Sequence, residues 1–332
     1  MRVRGTAVLD AADPALAAAV QEGLGVVEDR LRDVARSAHP MLDVTAGHLA
    51  RAGGKRVRPL LALLAARLGD PHAPGVVDAA VVVELTHLAT LYHDDVMDEA
   101  AVRRGAPSAN ARWTNTVAIL TGDFLFARAS DLTAGLGTEA TRIQSRTFAR
   151  LVEGQISETA GPADGQDPVQ HHLQVIADKT ASLIATSARL GAMTAGAPPA
   201  DVETVARFGE VFGTAFQLSD DLIDVLSETE TSGKTPGTDL REGVRTLPVL
   251  LVLASDDAQS ARLRQLLAGD LTDDALLAEA LTLLRAHPAM GAARGRLAAY
   301  VHEARQVGAD LPAGPVREAL LTLTDFVLAR TG

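Results

Sequence analysis

The chain has 332 residues, of which 47% are hydrophobic and 22% charged, and its formal net charge is −11. This composition is ordinary for a folded protein, and an acidic chain is a poor candidate for nucleic-acid binding, which needs a basic face. The absence of cysteine excludes disulfides, thiolate zinc sites and cysteine nucleophiles. No apolar run approaches the ~20 residues that span a bilayer, and no secretory signal precedes Asp10, so we expect a soluble, cytoplasmic protein without an integral membrane segment.

The first predicted element is a helix whose apolar residues recur every three or four positions from Leu16 to Val34. Asp13 and Pro14 match a cap and first turn, and His39-Pro40 is taken as its end. Further helices are predicted at about 59–69, 75–100, 114–136, 139–160, 168–195, 200–228, 257–267, 272–286, 289–307 and 315–330.

The pattern predicts a single all-α domain over residues 1–332, since neither alternating strands nor a linker composition interrupts it. The helices near 75–100 and 200–228 are apolar almost all round, which predicts central positions. The polar segment 229–245 is rich in glycine, and loops of that length in compact domains are usually functional.

Two D-D-x-x-D clusters end these two apolar helices. They consist of Asp94, Asp95 and Asp98, and of Asp220, Asp221 and Asp224. Helical spacing points the three carboxylates of each cluster broadly one way, where they would repel each other unless neutralised. Mg²⁺ takes carboxylate oxygens and keeps positions open for substrate phosphates, so the clusters predict metal sites. Alternatively, each cluster could simply be the solvated end of a helix. The occurrence of the same cluster on both of the most apolar helices disfavours that explanation.

Several shorter motifs occur together with the clusters. They are GGKRVRP at 53–59, LTHLATLYHDDVMD at 85–98, RRG at 103–105, GD at 122–123, KT at 179–180, FQLSDDLID at 216–224 and GKTPGTDL at 233–240. In this order they resemble the polyprenyl diphosphate synthases, or trans-isoprenyl diphosphate synthases, of the long-chain type. The resemblance implies a helical bundle around a deep central cavity, with the two clusters across its mouth, in a protein that is usually a homodimer.

The resemblance also implies a reaction, the condensation of isopentenyl diphosphate with an allylic diphosphate to a linear, long-chain polyprenyl diphosphate. Three magnesium ions would act with substrate bound, and their ligands would be Asp94, Asp98 and Asp220. Asp95, Asp221 and Asp224 would support these ligands. Lys179 would join the six aspartates as a catalytic residue.

Both diphosphates would contact further side chains. By resemblance, isopentenyl diphosphate is bound without metal by Lys55, Arg58, His87 and Arg104. The allylic diphosphate is bound by Arg103, Lys179, Thr180, Gln217 and Lys234. Taken singly, Lys55 and Arg58 could belong to a solvated basic turn, and His87 could be a hydrogen-bonded core histidine. Lys179 and Lys234 could be surface lysines. In one departure, Val244 stands where the family commonly has a lysine, and Arg245 could substitute.

Product length is predicted from Ala89 and Thr90, five and four residues before Asp94. By resemblance, members with short products often have Phe or Tyr there as a floor. Small residues predict a deep tunnel and a hexaprenyl to decaprenyl product, with the floor at Leu132 or Leu136. Ala89 could instead be a helix-packing alanine.

Three alternative functions stay open. One is a short-chain farnesyl or geranylgeranyl diphosphate synthase. A class I terpene cyclase has a similar fold, but its second motif usually has Ser or Thr at the position of Asp224, and its pockets are aromatic, whereas 3% of this chain is aromatic. The third is a subunit of a heteromeric enzyme, and intact carboxylates in both clusters disfavour a non-catalytic one.

Overall fold

The computed structural model describes residues 13–227, 236–255 and 260–331, and helices dominate all three ranges. In chain order they are α1 (Pro14–Val34), α2 (Pro40–Arg51), α3 (Val57–Ala65), α4 (Val76–Met97), α5 (Ala109–Arg112), α6 (Asn115–Gly135), α7 (Thr138–Ala160), α8 (Pro168–Ile176), α9 (Ser182–Thr194), α10 (Pro199–Leu226), α11 (Thr238–Arg241), α12 (Leu247–Leu253), α13 (Ala261–Leu267), α14 (Asp274–Ala286), α15 (Pro288–Ala309) and α16 (Pro315–Ala329). Strands β1 (Val102–Arg103) and β2 (Ala106–Pro107) form an antiparallel hairpin. The predicted all-α fold is confirmed.

The sequence prediction missed α2, α5, α11 and α12, and proline explains two of these cases. Pro40 is the first residue of α2, and Pro248 is the second residue of α12. Proline fits the first turn of a helix because the amide hydrogen it lacks has no intrahelical partner there. The first helix ends before Pro40, as the sequence predicted, but the prediction missed that Pro40 also begins a new helix.

The helix predicted over 168–195 is interrupted. α8 passes into a π-helical turn, Ala177–Ala181, before α9 begins at Ser182. This turn contains Lys179 and Thr180, two of the predicted ligands of the allylic diphosphate. Single π-helical turns inside helices are frequent at functional sites.

The chain divides into two compact units, and the first comprises Met1–Ala149, Leu183–Gly209 and Val307–Leu323. Its centre is α4, which packs most extensively on α6 and also contacts α3 and α1. α4 is long and apolar enough to span a membrane, but 67% of its most apolar window is buried within the structure, as expected of a core helix.

The second unit comprises Arg150–Ser182, Glu210–Gln306 and Thr324–Gly332. Here α12 packs on α8, and α13 packs on α14. The first aspartate motif lies in the first unit and the second motif in the second unit. The single domain predicted for residues 1–332 and its central cavity stay predictions.

Candidate active site

One face of α4 leads to the first aspartate motif. His87, Thr90, Leu91 and Asp94 are half-buried, and Asp98 is exposed. Their spacing of three and four residues places them on one side of the helix. The neighbouring residues Leu88, Ala89, Tyr92 and Asp95 are fully buried. The accessible face of α4 therefore contains the predicted metal ligands Asp94 and Asp98 together with His87.

Asp95 differs from the other two carboxylates of its motif. Its side chain has no exposed surface, and its Oδ1 accepts a hydrogen bond of 2.5 Å from Arg103 Nε. Its Oδ2 is buried without a hydrogen-bond partner among the described residues. Burial raises the pKa of Asp95, and the positive charge of Arg103 opposes that shift. The expectation that all three carboxylates point one way fails for Asp95, because the arginine holds it inside.

The β1–β2 hairpin positions Arg103 and Arg104. Arg104 and Gly105 form its two-residue turn, and both have positive φ, 55° and 76°. Turns with positive φ at both central residues match the twist of paired strands. Arg103 reaches Asp95, whereas Arg104 Nη1 donates to Leu49 O at 3.2 Å and to Gly53 O.

Gly54 allows the Arg104 guanidinium to lie directly on the Gly-Gly turn. A Cβ at Gly54, whose φ is 157°, would lie 3.0 Å from Arg104 Cζ. Only glycine combines this backbone conformation with such a close approach. The turn is followed by Lys55, which is exposed, and by Arg58, which is half-buried. The predicted binding residues of isopentenyl diphosphate are thus brought to one part of the first unit.

His87 lies among these cations. Its pKa is well below the ordinary value of 6.5, first because the surrounding protein desolvates the half-buried imidazole and then because Arg58 and Arg104, followed by Arg56 and Arg103, repel a proton. The imidazole is therefore neutral at neutral pH. A neutral side chain among converging positive charges can donate a hydrogen bond to an anion without adding to the repulsion between the arginines.

Arg56, Glu84 and Glu28 form a buried ion network that the sequence-based site did not include. Arg56 Nη1 donates to Glu84 Oε1 at 2.6 Å, and its Nε and Nη2 donate to the carboxylate of Glu28. Glu84 is 2% exposed. A single acidic residue within the apolar run VVVELTHL was an available signal, because a buried carboxylate requires a cation.

In the second motif, Asp220 is paired with Arg330, which directly follows α16. Arg330 Nη1 lies 2.8 Å from Asp220 Oδ1, and its guanidinium lies 4.7 Å from the ring centre of Phe216. Burial lowers the pKa of Arg330, and Asp220 opposes this shift. The Asp220 side chain is 29% exposed. The two partners are far apart in sequence, and no motif pointed to Arg330.

Asp221 is linked by hydrogen bonds to the predicted allylic residues. Gln217 Nε2 donates to Asp221 Oδ1 at 2.8 Å, and Thr180 Oγ1 donates to Gln217 Oε1 at 3.2 Å. His172 Nε2 lies 3.4 Å from Asp221 Oδ2, and neither atom has a hydrogen-bond partner among the described residues. The second unit therefore brings Thr180, Gln217 and Asp221 together, with His172 as a neighbour that the sequence did not indicate.

Asp224 accepts hydrogen bonds from two backbone amides. Its Oδ1 accepts from Thr238 N at 3.3 Å and its Oδ2 from Asp239 N at 3.1 Å, so it caps the first turn of α11. Helix N-terminal amides have no intrahelical acceptor and are commonly satisfied by a carboxylate. Asp224 is thus a structural cap in this structure, beyond the metal-supporting role predicted for it.

The remaining predicted residues have different outcomes. Lys179 forms an ion pair with Glu158 and is 27% exposed. Lys234 lies outside the described residues. Val244 and Arg245 are both exposed, so substitution of the missing lysine by Arg245 stays a prediction.

Each unit contains carboxylates of the kind that magnesium prefers. In the first unit, Asp94 and Asp98 offer hard oxygen atoms, and the buried Asp95 Oδ2 has no hydrogen-bond partner among the described residues. In the second unit, Asp220 offers such oxygens, and Asp221 Oδ2 is likewise buried without a hydrogen-bond partner in the part of the chain that the structure describes. Within the described parts of the chain, no three His, Asp or Glu side chains form a ready-made metal cluster. Mg²⁺ is commonly held by one or two carboxylates together with substrate phosphates rather than by a protein cage.

Comparison with known proteins decides the family. The family model described as polyprenyl synthetase matches residues 39–284 of the chain. The chain belongs to the polyprenyl synthetase family. This membership confirms the resemblance that the motifs indicated, and the prediction that the protein is a prenyltransferase.

Individual members of the polyprenyl synthetase family resemble the whole chain. Nonaprenyl diphosphate synthase of Mycobacterium tuberculosis is 51% identical over 335 residues, covering 100% of both chains. Heptaprenyl diphosphate synthase component 2 of Geobacillus stearothermophilus is 36% identical, covering 93% of this chain and 96% of that one. The crystal structure of geranylgeranyl pyrophosphate synthase from Corynebacterium glutamicum, complexed with calcium and isoprenyl diphosphate, superposes with a TM-score of 0.86 at 46% identity, covering 96% of this chain and 98% of that one.

Proposed function

We propose that the protein is a magnesium-dependent trans-prenyltransferase that condenses isopentenyl diphosphate with an allylic diphosphate to a linear, long-chain polyprenyl diphosphate. The observation that carries this proposal is the accessible face of α4. On this face His87 is a neutral histidine with arginines around it. Seven residues, or ~10 Å, further along the helix, the same face presents the carboxylates of Asp94 and Asp98. One helix face thus offers an anion site and a metal site to two diphosphates.

The cationic side chains bind the diphosphate that remains attached to the product. Lys55, Arg58, His87 and Arg104 hold isopentenyl diphosphate without metal. Charge-assisted bonds from guanidinium and ammonium groups suit phosphate oxygens, and bound phosphates fix the position of the reacting double bond.

The carboxylates serve the diphosphate that leaves. Asp94, Asp98 and Asp220 would hold Mg²⁺, with three ions expected when substrate is bound. The ions would supply positive charge that neutralises the charge developing on the leaving diphosphate. Arg103, Lys179, Thr180, Gln217 and Lys234 orient that diphosphate. The allylic C–O bond breaks with its electron pair staying on the departing diphosphate, and the double bond of isopentenyl diphosphate attacks the allylic carbon to form the new C–C bond. The resulting carbocation loses a proton from the adjacent carbon to the released diphosphate, which restores a double bond in the product.

A long product is supported by the relative named nonaprenyl diphosphate synthase and by small residues below the first motif. Thr90 lies on the accessible face of α4. Ala89 is fully buried, and a Cβ at Gly122 of α6 would lie 3.2 Å from Ala89 O. Thr90→Phe is therefore the cleaner test of chain length, because Ala89→Phe also overpacks the contact between α4 and α6. Both changes should shorten the main product.

The proposal also covers the setting of the enzyme, a cytoplasmic homodimer. A requirement for a second, different subunit is the competing possibility, and the relative named heptaprenyl diphosphate synthase component 2 favours testing it. Size-exclusion chromatography with light scattering is the direct measurement of subunit number.

The central experiment uses purified protein, Mg²⁺, isopentenyl diphosphate and allylic diphosphates of increasing length. Products are sized by chromatography. Linear products of six to ten isoprene units support the proposal. Farnesyl or geranylgeranyl diphosphate as the end product would indicate the short-chain alternative, cyclic hydrocarbons a cyclase, and activity only after addition of a partner protein a heteromeric enzyme.

A further inference from the structure

Arg56 occupies the middle of the basic turn, yet its side chain is directed into the protein. It is 5% exposed, and its backbone is left-handed with φ of 49°. Its guanidinium donates to both oxygens of Glu28, to Glu84 Oε1 and, from Nη2 at 2.9 Å, to Ala50 O. These bonds occupy four of its five N–H groups, so Arg56 is not oriented to bind a ligand directly.

Glu84 lies between two arginines. Its Oε1 is 2.6 Å from Arg56 Nη1 and 3.9 Å from Arg104 Nη2. A buried carboxylate without a cation is strongly disfavoured, and attraction between opposite charges is larger in the low-dielectric interior than in water. If Arg56 lost its charge, Arg104, at 3.9 Å, would be the nearest cation to Glu84 among the described residues. We therefore expect the Arg104 guanidinium to move toward the Glu84 carboxylate.

We propose that Arg56 is a positioning residue for the isopentenyl diphosphate site: it keeps Glu84 neutralised and so leaves Arg104 on Gly54, where it binds the diphosphate. This inference rests on the proposed function of Lys55, Arg58, His87 and Arg104. It extends that function by assigning a role to a buried network that does not touch substrate.

The test is steady-state kinetics with each substrate varied separately. Arg56→Gln should raise KM for isopentenyl diphosphate about tenfold, the effect of weakening one charge-assisted contact. KM for the allylic substrate and kcat at saturation should stay within about twofold, because the metal ligands are unaffected. The double variant Arg56→Gln/Glu84→Gln should return KM for isopentenyl diphosphate to within about threefold of wild type, since the carboxylate that captures Arg104 has lost its charge.

Glu84→Gln alone provides a second test that does not depend on the folding of Arg56→Gln. It removes the negative charge and leaves Arg56 bound to Glu28, so KM for isopentenyl diphosphate should not rise. Arg189→Gln is the matched control, because Arg189 forms a bidentate pair with Glu203 in the same unit, at 2.6 and 2.7 Å, outside the site. Its KM values should equal those of wild type.

The inference is overturned if Arg56→Gln leaves KM for isopentenyl diphosphate unchanged or raises both KM values alike, or if Glu84→Gln raises it tenfold. It is also overturned if the double variant is no better than Arg56→Gln. Failure of the proposed function gives a different result, since wild type itself would then form no prenyl product from the two diphosphates.

Discussion

The two aspartate motifs have the same sequence pattern but different surroundings. In the first, the buried middle residue Asp95 is paired with Arg103, while Asp94 and Asp98 remain accessible. In the second, the partly exposed first residue Asp220 is paired with Arg330, and Asp224 caps a helix. Identical patterns therefore predict the same metal chemistry without predicting which carboxylate has a structural partner.

The largest expected effect is loss of the proposed metal ligands. Asp94→Ala and Asp220→Ala should each lower kcat by about a thousandfold, because a leaving diphosphate that is not neutralised raises the barrier. The measurement is prenyl transfer in Mg²⁺ and in EDTA. Asp131→Ala, which changes an exposed aspartate of α6, is the control and should leave kcat unchanged. Near-wild-type turnover in EDTA would falsify the magnesium mechanism.

The next effect concerns the two arginines. Arg103→Met should lower the free energy of unfolding by about 3 kcal/mol, because it leaves the fully buried Asp95 without its cation. Arg330→Met should cost less, about 2 kcal/mol, since water reaches Asp220 and replaces part of the ion pair, although the hydrogen bonds of Arg330 to Ser219 Oγ and Phe216 O are lost as well.

Urea unfolding of both arginine variants provides the comparison. Arg305→Met breaks an exposed ion pair with Asp325 and should change the unfolding free energy by less than ~0.5 kcal/mol. Equal losses for Arg103→Met and Arg330→Met would show that the difference in burial between the two motifs has no energetic consequence.

A smaller effect is expected at Asp224. Asp224→Ala should cost about 1 kcal/mol of stability by removing a cap, whereas Asp224→Asn should retain most of it, since asparagine caps helices nearly as well. Asp273→Ala is a matched control, because Asp273 caps α14 through Ala275 N and Leu276 N. The kcat of Asp224→Asn should remain far above that of Asp220→Ala, and similar kcat values would instead identify Asp224 as a metal ligand.

The smallest effect is a pH dependence confined to the region of the first motif. The native state keeps His87 neutral, whereas the unfolded chain binds a proton there below pH 6.5. The unfolded state then holds more protons, so stability falls as pH decreases below 6.5. Replacing the histidine by glutamine, His87→Gln, should flatten this part of the acid unfolding curve. His302→Gln, at an exposed histidine, should leave the slope unchanged, and an unaltered slope in His87→Gln would contradict a neutral native His87.

Much of the fold followed from local pattern. The period of apolar residues predicted most helices, with errors where the helix beginning at Pro40 was missed and where 168–195 was taken as one uninterrupted helix. The hairpin at Arg104 was not predicted, because strands of two residues are too short to show an alternation of apolar and polar side chains. Such features depend on single residues at special backbone angles rather than on periodicity.

The sequence alone determined the helical fold, the family and the residue types that carry the chemistry, because helical periodicity and motif spacing are properties of neighbouring residues. The tertiary structure decided which of those charges are neutralised inside the protein. Asp220 and Arg330, like Glu28, Arg56 and Glu84, meet across long stretches of chain. Burial and ion pairing depend on which distant side chains share a low-dielectric environment, and spacing along the chain does not encode that.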